Sequence, residues 1–530
     1  MSFNLKKISL QESNQFSKLM IDYVSNSAEI KPFINQHFST IKIDSLVDNL
    51  KFDNNQRLML FDELLNQYVG FEVSGSTKEN IISIKNNNTF TVTTGHQLCL
   101  FTGPIYFIYK ILTVIVQCEE LNKKHPNYHF VPVFWMAGED HDKEEINHAH
   151  VFGKKITWET TQHGKVGKFN LEGIHEIIHQ LNEILGQSVT TDSIIQLIEK
   201  TYSFSNLNDA TRYLVNALFG QYGLIIIDPD HTPFKKVFSD EIKKEIRTSF
   251  VEKNVLATNA SLINKGYKAQ VNPRTINLFY AKGSVRERLV FSENRYQVLN
   301  TDLSFTENEI NFLIDNNCEV FSPNVLMRPL YQQKLLPNLF YVGGPGEIAY
   351  WLQLKATFDD AAIFFPVLQP RKFALLFNEK HVLKWNSLGL NTEEVFLSSD
   401  EIDKKIVAAE FTGYDEEKNN IDQLFNALKQ KVTEIDQSLA GTVDAEKQKT
   451  LKSLEHLEQK IKKSLKQKNE ITIQQIKKIK NTYFPEQTIQ ERKDNFLNFY
   501  SKNLFFIDQL KRTFETTTSS ECDYLILTIY

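Results

Sequence analysis

Three short segments concentrate the residue types that hold anions and move protons. The first, TVTTGHQLCLFTGP at 91–104, leaves a β-branched run through Gly95, His96 and Gln97 and returns through apolar residues to Thr102, Gly103 and Pro104. A glycine after a strand permits a tight turn, and amides at a following helix start can hold an anion with help from the helix dipole. Thr102 is placed to cap such a helix, Gly103 to allow close approach, and Pro104 to fill a first-turn position whose N–H would be unpaired anyway. His96, beside those amides, is expected to donate to a phosphate oxygen as charge builds in a transition state. Cys99 sits in an apolar context without an evident base and reads as packing.

The second segment, GEDHD at 138–142, sets Glu139, Asp140 and Asp142 around His141. Carboxylates this close repel unless a cation, an arginine or a proton intervenes, and magnesium held with nucleotide phosphates suits oxygen ligands. No CxxC or HExxH accompanies it, so zinc is not expected. An acidic helix start favoured by the dipole is the structural alternative. The third segment, VGGPGE at 342–347, repeats the anion-cradle pattern with Gly343 and Gly344 and lacks the Gly-Lys-Ser/Thr of a Walker loop. There Glu347 also suits a helix start, and Tyr350 and Trp351 also suit packing. Arg274, Arg328 and Arg371 stand next to or near prolines in loop-like contexts, where bidentate capture of carboxylate or phosphate is open to them.

Each segment needs an element to position it. Five apolar runs, TFTVTTGHQ, YHFVPVFWM, YGLIIIDPDH, NLFYVGG and AAIFFPVLQPR, alternate with helical patterns. Continuous apolar strands between helices indicate a parallel sheet covered on both faces, an α/β class in which ligands sit beyond the carboxyl ends of the strands. That rule gathers the loops around Gly95, Asp140, Asp228 and Gly343 onto one rim. Residues 156–206 and 248–307 read as insertions, the second with short antiparallel strands.

The chain has 530 residues, 41% of them hydrophobic, and a formal net charge of -5, so no global pull toward nucleic acid is evident. Four scattered cysteines form no CxxC pair, the N-terminus lacks a signal-like apolar core, and a reducing cytoplasm is expected. The apolar run at 104–118 is too short to span a bilayer and carries Lys110.

Beyond residue 385 the pattern changes. A core at 1–385 is expected to give way to a linker at 386–419 and an arm at 420–484, with 485–530 returning to the core and its tail CDYLILTIY adding a strand. Within the arm, Ile421, Leu424, Leu428, Val432, Ile435, Leu439 and then Leu451, Leu454, Leu457, Ile461 and Leu465 recur three and four apart, as in a coiled coil. LAGTVD at 439–444 offers a turn for an antiparallel pair, and the lysine run at 460–468 reads as a solvated helix face.

The blocks TTGHQLCLFTGPIYFIYKI, PVFWMAGEDHDKEEINH and GGPGEIAYWLQLK, in that order and followed by FPEQTIQERKDN, resemble the bacillithiol biosynthesis cysteine-adding enzyme family over essentially the whole chain. The resemblance implies a ligase joining L-cysteine to glucosaminyl-malate. It implies a Rossmann-like, doubly wound parallel sheet related to class I aminoacyl-tRNA synthetases, with connecting insertions, and an antiparallel coiled coil that supports a homodimer. A Gly-His pair in those relatives contacts ATP phosphates and is matched by Gly95-His96, although a full His-Ile-Gly-His signature is absent.

A carboxylate needs activation before it acylates an amine, most simply by ATP, and the incoming ammonium needs a base. Gly95, His96, Gln97, Thr102 and Gly103 are the phosphate candidates. Asp140 or His141 is the base or cation ligand. Gly343, Gly344, Glu347 and Tyr350 are expected to shape the acceptor site, with Arg328 or Arg371 on malate. The alternatives are a ligase or nucleotidyltransferase of the same fold acting on another amine, and a non-catalytic coiled-coil protein that binds nucleotide or RNA.

Overall fold

The five apolar runs form one sheet in a computed structural model that describes residues 3–529. Met1, Ser2 and Tyr530, the last residue of the expected terminal strand, lie outside the described residues. The strands are β1 (Thr89–His96), β2 (His129–Met136), β3 (Ile225–Ile227), β4 (Asn338–Gly343) and β5 (Val367–Pro370). They lie in the order β5-β4-β1-β2-β3, every pair parallel. All of β1 and β4 is buried, which is why these strands read as unbroken runs instead of alternating ones. Register places His96 beside Met136, Trp135 beside Ile227 and Gly343 beside Pro370, so the carboxyl ends share one rim. Strand order reverses between β1 and β4, and an open α/β sheet has its ligand crevice at such a switch.

Helix α1 (Tyr106–Lys124) crosses from β1 to β2. Ile108, Ile111 and Leu112 on it are wholly buried, each stabilising the fold by about 2 kcal/mol through lost apolar surface. Its far side meets the Phe506–Glu515 helix, with Tyr109 edge-on to Phe514. Further along lie α2 (Lys143–Ile146), α3 (Leu207–Phe219), α4 (Arg328–Leu335) and α5 (Pro345–Leu352). The 156–206 stretch carries the end of a hairpin and the helices Ile174–Leu185 and Val189–Thr201. The 248–307 stretch carries a helix, Phe250–Asn264, before its antiparallel strands. Phe321–Pro323 completes that five-stranded sheet.

The chain divides into two units. One comprises the described residues up to Gln11, Gln15–Leu375 and Thr488–Leu527; the other comprises Glu12–Asn14, Leu376–Gln487 and residues 528–529. Asp523–Ile529 lies between Asn4–Ser9 and Phe373–Asn378 in a three-stranded sheet. The stretch expected to link core and arm is instead folded. Trp385 is buried and donates from Nε1 to Asn391 O at 2.8 Å, and a Ser398-capped helix, Ser399–Ala408, follows.

Helices α6 (Asp415–Ile435) and α7 (Ala440–Lys468) pair antiparallel, as the ion pairs Lys418–Glu458, Lys447–Asp422 and Lys429–Asp444 record. The turn falls at 436–439, where Asp436 accepts from Ser438 N at 2.8 Å, and Gly441 lies inside α7. In the lysine run, Lys462, Lys466 and Lys468 pair with Glu458, Asp403 and Glu410. Among the described residues no helix is long and apolar enough to cross a membrane.

Candidate active site

The loop after β1 is built differently from a phosphate cradle. Phe101, Thr102 and Gly103 all have positive φ, and α1 starts only at Tyr106 behind Ile105, so Thr102 does not cap it. Phe101 N donates to Tyr202 Oη at 3.0 Å, Thr102 N to Cys99 O at 3.0 Å, Gly103 N to Leu100 O at 2.9 Å and Ile105 N to Asp494 O at 2.7 Å. Asn495 Nδ2 donates to the carbonyls of both Phe101 and Gly103. With those amides committed and Thr102 buried, the loop does not fit a nucleotide's phosphates. Gly103 is required for another reason: at φ +70° its Cβ would stand 2.7 Å from Cys99 Cβ. Gly103→Ala is expected to lose about 2–4 kcal/mol of stability, read from the urea midpoint, because backbone strain and a backbone-anchored clash add.

His96 ends β1 against Tyr106 and edge-on to Phe107. Burial, then the nearby Lys110 charge, push its pKa down to about 4, so the ring is neutral near pH 7. Its Nδ1 lies 2.9 Å from Gln97 O, which can only accept; the proton therefore sits on Nδ1 and Nε2 presents a lone pair. The donor role toward phosphate expected of His96 is replaced by an acceptor role.

Gln97 does not contact an anion site either. Its Nε2 donates to Asp140 Oδ2 at 3.1 Å and to Glu145 Oε2 at 2.6 Å, joining the β1 loop to the loop after β2. Burial opposes ionisation of Asp140, but the Arg286 charge, the Gln97 side chain and the His141 amide hold its carboxyl below the usual range. A carboxylate that resists protonation is a poor general base and a good partner for a cation. Arg286, delivered by the Val285–Ser292 strand, also donates to His141 Nδ1 at 2.5 Å. That nitrogen therefore accepts, and its 3.3 Å approach to Asp140 is not a hydrogen bond. His141 remains largely exposed.

Glu145, on α2, is the group sequence reasoning passed over. Although Glu145 is exposed as a residue, partial desolvation of its carboxylate, reinforced by Asp140 and Asp142, raises its proton affinity. The pair Asp140 and Glu145 thus has its proton affinities driven apart, as separate charge-holding and proton-accepting tasks require. The loop bearing Asp140 is pinned from behind. Asn208 on α3 donates to Asp228 Oδ2 at 2.6 Å and packs so tightly against Gly138 and Gly167 that a Cβ at either would meet its Oδ1 at 2.2 Å.

Across the switch point, Glu347 on α5 accepts from Gly344 N at 2.9 Å, Tyr341 Oη at 2.5 Å and Lys110 Nζ at 2.8 Å. The Gly344 amide is therefore taken by the helix's own carboxylate. Lys110, buried at 3% exposure, also donates to Gly95 O and ties the ends of β1 and β4 together. An ammonium in the middle of an apolar helix was its only sequence signal. Gly343 O accepts from Arg371 N, while the Arg371 guanidinium forks onto Glu491 at 2.7 and 3.2 Å with both side chains buried. Arg371 is thus a structural ion pair and not a ligand-facing group. Arg328 Nη1 lies 3.6 Å from the point a Cβ on Gly95 would occupy, and the guanidinium bonds Gln332 Oε1 and Tyr350 Oη. Arg274 lies apart from these contacts; its amide bonds Asn277.

Tyr350 and Gly95 both meet Arg328, Lys110 bonds Gly95 O, and through the consecutive residues Gly95, His96 and Gln97 the series passes to Asp140, Glu145 and Arg286. These contacts set a cation on one side of β1 and two carboxylates on the other. Among the described residues, no cluster of His, Cys, Asp and Glu has the geometry of a metal centre.

The family model described as "Bacillithiol biosynthesis BshC, N-terminal Rossmann-like domain" matches residues 3–372, and "Bacillithiol biosynthesis BshC, C-terminal coiled-coil domain" matches residues 374–526. Curated relatives named "Putative cysteine ligase BshC" include one from Flavobacterium psychrophilum, 43% identical over 93% of this chain and 94% of its own length. Another, from Cytophaga hutchinsonii, is 38% identical over 98% of both chains, and one from Bacillus cereus is 26% identical over 97% and 98%.

Proposed function

The chain belongs to the BshC family of bacillithiol biosynthesis, and from that membership we propose that it is a ligase forming an amide between the carboxyl group of L-cysteine and the amine of glucosaminyl-malate. The observation that carries the reading is the series of contacts at the switch point, with an arginine on one side of His96 and the unequal pair Asp140 and Glu145 on the other. An amine reaches a neutral solution as ammonium and must lose a proton before it can attack. Asp140, kept anionic by Arg286 and Gln97, attracts the ammonium; Glu145, with raised proton affinity, takes the proton. The His96 Nε2 lone pair accepts a hydrogen bond from the same amine and orients it.

ATP is the co-substrate assigned to activate the cysteine carboxyl, since an unactivated carboxylate does not acylate at neutral pH; attack by the amine forms the C–N bond as the acyl C–O bond breaks and the phosphate or AMP supplied by ATP leaves. No residue of the β1–α1 loop is assigned to its phosphates, because the amides there are committed. The cytoplasm, where thiols stay reduced, is the compartment that suits four free cysteines and this product.

Purified protein supplied with cysteine, ATP and either glucosaminyl-malate or other amines should release only the cysteinyl-glucosaminyl-malate amide, detected by mass. Equal turnover of unrelated amines would replace this reading with a broader amine ligase. Cells lacking the chain should lose bacillithiol and accumulate glucosaminyl-malate; an unchanged thiol pool would end the proposal.

The coiled-coil unit is assigned to homodimerisation. No residue of α6 or α7 is buried, and Leu424, Leu428 and Leu457 are 58%, 40% and 47% exposed. Apolar side chains at helical spacing left in water favour a second pair of helices. Leu424→Glu with Leu428→Glu should shift sedimentation from dimer to monomer; a wild-type monomer at micromolar concentration would remove the assignment.

A further inference from the structure

Elsewhere in the fold the buried cations Arg57, Arg212 and Lys372 are closed by neutral oxygens, but around the candidate site the cations have carboxylate partners, with one exception. Arg371 is closed by Glu491, Lys110 by Glu347, Arg286 by Asp140, and Lys165 and Lys235 by Asp230 and Glu139. Arg328 makes no ion pair among the described residues. Its guanidinium bonds only neutral groups, Gln332 Oε1 at 3.0 Å and Tyr350 Oη at 2.7 Å, and lies 5.7 Å from the Tyr341 ring. Around the switch point three cations, Lys110, Arg328 and Arg371, therefore face two carboxylates, Glu347 and Glu491. The excess charge falls on Arg328, which is only partly screened by solvent and has N–H groups to spare.

We propose that Arg328, held by Gln332 and Tyr350, is the subsite for a carboxylate that the acceptor substrate keeps throughout the reaction. A low-dielectric cation without a counter-ion is costly unless an anion arrives to complete it. Cysteine is the less suitable source. Its carboxyl loses its charge on becoming an amide, and a fixed fork on it would stabilise the starting anion over the acyl-transfer transition state. A carboxylate on the acceptor is anionic before and after, so the same fork supplies binding and orients the amine toward the acyl carbon. The inference rests on the amide-ligase reading and sharpens it: selection of an acidic acceptor is placed on Arg328 and removed from Arg371.

The test uses full-length Arg328→Gln, Arg328→Lys and Tyr350→Phe with cysteine, ATP and either glucosaminyl-malate or methyl glucosaminide, which has no carboxylate. In Arg328→Gln the KM for glucosaminyl-malate should rise about 10–100-fold while that for cysteine stays within about twofold, and the preference over methyl glucosaminide should vanish. Tyr350→Phe, which only loosens the fork, should raise the same KM about 3–10-fold. If Arg328→Gln does not fold, Arg328→Lys and Tyr350→Phe carry the same comparison. A rise confined to cysteine assigns the fork to the donor and overturns the inference; no change in either KM overturns it as well. Should the wild type make no amide at all, the ligase reading falls and the subsite is judged separately, by calorimetric titration of glucosaminyl-malate. Binding to wild type that Arg328→Lys abolishes sustains the subsite; equal binding to both, or none to wild type, refutes it.

Discussion

Glu145→Gln should lower kcat about 100–1,000-fold while the protein stays folded, because removal of a positioned general base typically costs that much. The substitution keeps shape and leaves Gln97 a carbonyl to which it can still donate. What it removes is a carboxylate whose proton affinity partial desolvation, Asp140 and Asp142 have raised above the ordinary glutamate value. The sign of the pH effect follows. The base works deprotonated, so wild-type kcat/KM should fall as pH drops through a limb lying above the normal glutamate range. That limb should disappear in Glu145→Gln. Asp140→Asn should act in the opposite sense on the limb, moving it toward lower pH by removing a neighbouring negative charge, while weakening binding of the ammonium. Unaltered kcat and an unaltered acid limb in Glu145→Gln would strip Glu145 of its role.

Lys110→Met should cost about 3 kcal/mol of stability and most of the activity. Its ammonium is almost wholly buried, and its removal leaves Glu347, 26% exposed at the side chain, without its cation. The Gly95 carbonyl loses its partner at the same time, so the ends of β1 and β4 are no longer joined through a charged bond. Glu347→Gln alone should be similarly harmful, since it strands a buried ammonium. The double variant should be less destabilised than the sum of the singles by about 2 kcal/mol, the mark of a coupled pair in a denaturant-based cycle. Additive effects would show that the two charges act independently.

The sheet was legible in the sequence because strands buried on both faces must be apolar throughout, and each of the five runs became one of its five strands. The switch-point glycines were legible because Gly95 and Gly343 close the apolar runs of their strands and Gly344 follows at once. The chemistry around them was less so. Nothing local reveals that His96 spends its Nδ1 proton on Gln97 O, or that the Arg371 fork is filled by Glu491, 120 positions away. Arg286 comes from an insertion, and only the folded chain brings it to Asp140. Thr102 carries the signals of a helix cap, yet three consecutive positive-φ residues delay α1 to Tyr106. The coiled-coil turn moved from the glycine at 441 to 436–439 because Asp436 closes a tight turn there, and a glycine is tolerated within so long a helix.

Asn495 and Glu491 reach the body of the first unit only after the intervening helices of the second have been made. A ribosome therefore emits every strand of the parallel sheet long before the residues that fasten its first loop leave the exit tunnel. During that interval the nascent Rossmann-like half holds a guanidinium at 371 with no carboxylate to meet it. Fragments cut after residue 372 inherit the same deficit, which makes them poor stand-ins for the whole enzyme in expression or screening.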